Sequence, residues 1–94
     1  MVKGKTKSGF KFTADEEVLK TWGFIEQMAW INTGDARGLA KFRDTIDSLL
    51  GAGQFEKLEE HCKDDKGHAF FDAIWAEFDE IVGIVKDKNA EAKN

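Results

Sequence analysis

Apolar and polar positions change their period several times along this chain, and each change marks an element. From Val2 to Phe12, the apolar Val2, Phe10 and Phe12 are interleaved with lysine, threonine and glycine. Period two with polar partners predicts half-exposed strands. Ser8-Gly9 supplies a turn, because glycine adopts positive φ at no steric cost. The prediction is a small β-hairpin over about 2–13 with Phe10 and Phe12 facing the rest of the chain. A two-stranded hairpin is marginal alone, so it must pack on something.

The period then becomes helical. Thr13-Ala14-Asp15-Glu16 matches a capping box, with Asp15, Glu16 and Glu17 at the positive end of the helix dipole. A helix is predicted from about Ala14 to about Ile31. Val18, Trp22, Ile25 and Ala29 form its inward stripe, widened by Leu19, Met28 and Ile31. Gly23 weakens its middle by about 1 kcal/mol relative to alanine. Asn32-Thr33-Gly34-Asp35 stops and restarts the chain. The second helix is predicted over Ala36 to Leu50, with Leu39, Phe42, Ile46, Leu49 and Leu50 inward and Arg37, Lys41, Arg43, Asp44 and Asp47 toward water. Gly51-Ala52-Gly53 breaks it. A short helix follows from Gln54 to about Lys63, on Phe55, Leu58 and Cys62.

After the polar loop Asp64-Asp65-Lys66-Gly67 comes the strongest amphipathic stretch. Phe71, Ile74, Trp75, Phe78, Ile81, Val82 and Val85 recur at steps of three and four, which stacks them on one side of a helix predicted from near His68 to Lys88. Phe70 lies off that stripe. The fold class expected is mainly α: a small N-terminal β-hairpin followed by about four helices, the last long and amphipathic. Residues 1–88 are read as one small domain and 89–94 as a charged tail that frays.

Composition sharpens this picture in two places. Eight Phe and three Trp in 94 residues, with no Tyr, bring much apolar area per residue to a chain that buries only about two-thirds of its unfolded surface. The apolar arc of the last helix therefore exceeds a narrow stripe, and a helix of that kind either sits centrally or offers a side to a partner. Trp30, Phe70, Phe71, Trp75 and Phe78 are the candidate partner-binding residues. The formal net charge of −4 divides into +4 over residues 1–12, from Lys3, Lys5, Lys7 and Lys11, and −8 over the remainder. An acidic body argues against nucleic-acid binding. Lysines on a hairpin are also an ordinary guard against edge-to-edge pairing.

Candidate chemistry is sparse. Cys62 is the only cysteine, which fits a reducing cytosol. No run approaches a membrane span, and the basic N-terminus lacks the apolar core of a signal peptide. His61 and Cys62 are adjacent, so on a helix they point apart and suit neither one metal ion nor a nucleophile–base pair. His68 and Asp72, four apart, make an ordinary helix-start salt bridge. Asp64, Asp65 and Gly67 lack the alternating ligands and terminal Glu of a calcium loop. No P-loop, dinucleotide fingerprint or hydrolase elbow is present. No catalytic, cofactor or metal residue is assigned.

The succession of local signatures carries a resemblance. A lysine-rich start runs through Thr6-Lys7-Ser8-Gly9-Phe10-Lys11-Phe12. Asp15-Glu16-Glu17-Val18-Leu19 comes next, then Gly34-Asp35, Leu49-Leu50-Gly51, and Gln54, Leu58, His61 and Asp65-Lys66-Gly67 ahead of an amphipathic helix and a charged tail. Over nearly its whole length the chain resembles the small tail assembly chaperones of long-tailed bacteriophages and prophages. It departs from them in the aromatic content of the first and last helices, where aliphatic residues are expected. The resemblance implies a non-enzymatic protein without cofactor that binds the tape measure protein and keeps it soluble while the tail tube assembles. It also implies self-association, the tail tube protein as a further candidate partner, residence in the bacterial host cytoplasm and absence from the mature virion. The competing expectation is a prophage-encoded helical adaptor or regulator that binds another protein through the same C-terminal helix.

Overall fold

The structure, a computed structural model, describes the backbone of residues 1–32 and 36–92 and the side chains of residues 1–29 and 41–88. Strands β1 (Val2–Lys5) and β2 (Lys11–Ala14) pair antiparallel, with Val2 opposite Ala14 and Lys5 opposite Lys11. The connection is wider than a two-residue turn. Thr6 organises it: its amide donates to the Phe10 carbonyl at 2.9 Å, and its hydroxyl accepts from the Phe10 amide at 3.1 Å. Gly9, at φ 99°, closes the loop with a backbone conformation that other residues rarely adopt.

The chain then departs from its predicted course. Thr13 belongs to β2, so it cannot cap a helix, and the Thr13–Glu16 capping box does not form. Asp15 takes the capping role, its Oδ1 accepting from the Glu17 amide at 3.1 Å. Glu16 instead lies 3.0 Å from the N-terminal ammonium. Residues Glu16–Lys20 form a 3-10 helix and not the start of one long helix. Helix α1 is a separate element, Trp22–Asn32. Thr21 sits between the two: its hydroxyl donates to the Val18 carbonyl at 2.8 Å and accepts from the Phe24 amide at 3.2 Å, ending one helix and capping the next.

That break rotates α1 relative to the expected stripe. Phe24 points inward at 8% exposure, while Trp22 and Ile25, predicted inward, are 75% and 52% exposed. The stripe Val18–Trp22–Ile25–Ala29 presumes one continuous helix, and the phase is lost at Thr21. The Thr33–Asp35 part of the stop signal lies outside the described residues.

Helix α2 spans Ala36–Leu50, and Phe42, Ile46, Leu49 and Leu50 are buried as the period predicts, while the side chains of Arg37 and Leu39 lie outside those described. Lys41 and Asp47 are half-buried instead of fully solvated. Asp47 Oδ1 accepts from the Phe55 amide at 2.8 Å and so holds helix α3 (Gln54–His61) to α2. Thr45, fully buried, bonds both the Lys41 carbonyl at 2.8 Å and the Gln27 side chain at 2.7 Å, which joins α1 to α2. Asp64 closes the next loop, its Oδ1 accepting from the amides of Lys66 and His68, both at 2.9 Å.

Helix α4 runs Phe71–Ala92. It starts later than predicted, so His68 precedes the helix and meets the Phe70 ring edge to face at 5.8 Å, and the predicted i,i+4 pair with Asp72 loses its helical basis. It also continues past Lys88, because Ala90, Glu91 and Ala92 are good helix formers even without an apolar face. Ile74, Phe78, Ile81 and Val85 fill the core.

Backbone approach between α2 and α4 is slight; aromatic rings cross the gap. Phe42 meets Phe78 edge to face at 5.3 Å, Trp75 at 5.6 Å and Phe71 at 5.7 Å. All three aromatic residues of α4 meet Phe42 across that gap. β1 lies along α4 and β2 along α2, so the hairpin seals the far side of the same core.

Candidate docking groove

Because α1 packs mainly on α2, it stands off from α4 and leaves a groove of about 330 Å³. Phe24, Ile25 and Met28 form the α1 wall; Trp75, Phe78 and Val82 form the α4 wall, with Leu19 of the 3-10 helix beside them. Asp79 and Lys86 add one charge of each sign. From Trp75 to Lys86 the α4 wall extends about 16 Å at 1.5 Å per residue, the length of three helical turns. The lining is apolar and concave with few polar groups, the form that takes an amphipathic helix.

The groove does not end the apolar surface. Phe71, 45% exposed, stacks on Trp75 at 6.2 Å and 18°, carrying it to the start of α4. Phe70, 60% exposed, lies further round. On α1, the Trp22 indole N–H donates to Glu26 at 2.9 Å, which satisfies its polar atom and leaves the ring exposed.

The five predicted partner-binding residues fare differently. Phe70 and Phe71 are exposed and Trp75 is half-buried. Phe78 is corrected: at 1% exposure it is enclosed by Phe24, Phe42 and Trp75, so it closes the floor of the groove and has no surface of its own to offer. The side chain of Trp30 lies outside the described residues. Periodicity does not single out Trp22, Ile25 and Met28 as surface residues. Thr21, three residues before Phe24, is the signal that could have found them, since a threonine cap there resets the helical phase.

A polar cluster joins the hairpin tip to α3 and α4. Ser8 Oγ donates to Glu77 Oε1 and lies 2.8 Å from His61 Nε2. The Lys7 amide donates to Glu80 Oε2 at 2.7 Å. Thr6 Oγ1 lies 3.1 Å from the same Ser8 hydroxyl, which therefore meets three polar side chains. The trio of Ser8, His61 and Glu77 fastens the hairpin tip to α3 and α4. Its members are distant in sequence, which hid them. Cys62 is half-buried; burial first and the Glu77 charge second push its thiol pKa up, away from reactivity.

Among the described residues no group of three or more potential ligands could hold a metal ion, and no helix is long and apolar enough to cross a membrane. Comparison with protein families, with characterised proteins and with solved structures finds no match.

Proposed function

We propose that this protein is a phage tail assembly chaperone that holds an amphipathic helix of the tape measure protein in the α1–α4 groove. The observation that carries the docking part is the open apolar wall: Ile25 is 52% exposed beside half-buried Met28, Trp75 and Val82. The order of local signatures from Thr6 to Gly67 supports the choice of partner. A tape measure protein is long and helical, and its apolar stripes aggregate unless covered.

The energetics suit temporary binding. Covering an apolar side chain of this size contributes about 1.5–3 kcal/mol. Covering three or four of them matches in order of magnitude the association cost of about 4–15 kcal/mol. Gain and cost nearly cancel, so binding is weak and reversible, and the client can leave when the tube closes around it. The net charge of −4 keeps the complex dispersed.

Co-expression with a tape measure protein, which this reading expects to be encoded beside it, tests the reading. The client is expected in the soluble fraction with the wild-type chain and in the pellet with Ile25→Asp, a substitution on an exposed helix face. Equal client solubility with both chains, or no effect of either, contradicts the proposal. Flanking genes unrelated to tail assembly favour the adaptor reading instead.

A further inference from the structure

The outer face of the hairpin carries charge that the rest of the described fold leaves unanswered. Strand alternation turns Gly4, Phe12 and Ala14 inward and leaves Lys3, Lys5 and Lys11 outside. The register sets Lys5 directly opposite Lys11, and like charges so placed destabilise a strand pair. Lys88 brings another cation to this edge, its Nζ donating to the Lys3 carbonyl. The ion pairs among the described residues lie elsewhere: Glu16 with the N-terminal ammonium, Glu17 with Lys20, Glu56 with Arg43 and Glu60 with Lys63. Guarding a strand edge requires a lysine on the edge; it does not require two of them face to face.

These lysines border a furrow of about 530 Å³, lined also by Phe12, Leu50 and Gln54. We propose that the furrow is a second docking surface, for a short acidic segment of a protein partner whose carboxylates alternate with apolar side chains. The lysines supply charge complementarity, Gln54 a side-chain amide, and the edges of Phe12 and Leu50 an apolar floor. A nucleic acid or an anionic bilayer extends beyond the patch and meets the −8 carried by residues 13–94, whereas a short segment stays within it. This surface is on the hairpin and separate from the α1–α4 groove, so each stands or falls without the other.

The test uses the full chain, ¹⁵N-labelled, and a fluorescein-labelled peptide of alternating Asp and Leu. The amides of Lys3, Lys5, Lys11 and Gln54 are expected to shift, and binding is expected to fade in about 0.3 M NaCl as the charges are screened. Lys5→Gln/Lys11→Gln, which alters only exposed side chains, should weaken binding about five- to tenfold with unchanged circular dichroism. Ile25→Asp should leave this binding unchanged. Shifts confined to other amides, or unchanged affinity in the double variant, overturn the proposal. So does tighter lysine-dependent binding of a single-stranded oligonucleotide or of phosphatidylserine vesicles.

Discussion

Gly4 and Phe12 are cross-strand partners, and the Phe12 ring lies where a side chain on Gly4 would go. A Cβ at Gly4 would sit 2.7 Å from Phe12 Cζ and 3.1 Å from Ile84 Cγ2. The missing side chain leaves room for the buried Phe12 ring against β1 and lets β1 close on Ile84 of α4. Gly4→Ala gains up to about 1 kcal/mol from a less flexible unfolded chain. It loses about 1–3 kcal/mol by pushing Phe12 into a filled core. The expected net is a destabilisation of about 1 kcal/mol, read from the shift of the urea midpoint.

The ring of Phe42 spans the distance between α2 and α4 by touching Phe71, Trp75 and Phe78. Phe42→Ala removes that bridge and leaves a cavity, at a cost of about 3–5 kcal/mol. Phe42→Leu keeps part of the volume but not the reach, and should fall between wild type and alanine. Thermal unfolding followed by circular dichroism orders the three proteins.

Thr21 both ends the 3-10 helix and caps α1. Thr21→Ala should cost about 1 kcal/mol, as other cap removals do. Hydrogen exchange should quicken first at Phe24 and Ile25, the amides nearest the lost cap, while amides of α2 change little.

Cys62 should resist alkylation. Burial and the neighbouring Glu77 charge both disfavour its thiolate, raising the folded pKa above that of the unfolded chain. At pH 8 iodoacetamide should modify the folded protein more slowly than the urea-unfolded protein. Glu77→Gln removes the smaller of the two causes and should speed the reaction partway. The sign for stability is set by the same shift: the thiol's contribution is present below its unfolded pKa and declines as pH rises through the folded value.

Much of this architecture can be read from residue order. Helix α2 has a clean period, a glycine stop and no competing cap, and its bounds and the described part of its buried face, Phe42, Ile46, Leu49 and Leu50, match the structure. The inward Phe12 follows from strand alternation, whereas Phe10 lies one residue before β2 and is held by the Thr6 turn. The region from Thr13 to Ile25 could not be read the same way, because three capping candidates, Thr13, Asp15 and Thr21, compete within it. Thr13 looks like a cap only until strand pairing claims its backbone, and Thr21 looks unremarkable until that happens. With the phase of α1 set from Thr13, Trp22 and Ile25 read as buried, and the groove that Ile25 borders disappears. Long-range polar contacts such as Ser8 with His61 and Glu77 leave no periodic trace, so only the fold brings them together.

The α1–α4 groove binds a client helix or the proposed function fails, and chemical-shift mapping decides between the two most directly. The ¹⁵N-labelled chain is titrated with an amphipathic helical peptide from the tape measure protein. Shifts are expected to cluster at Ile25, Met28, Val82 and Lys86 and at the Trp75 indole, and all should be lost in Ile25→Asp. Shifts that avoid these residues, or that persist unchanged in Ile25→Asp, contradict docking in the groove.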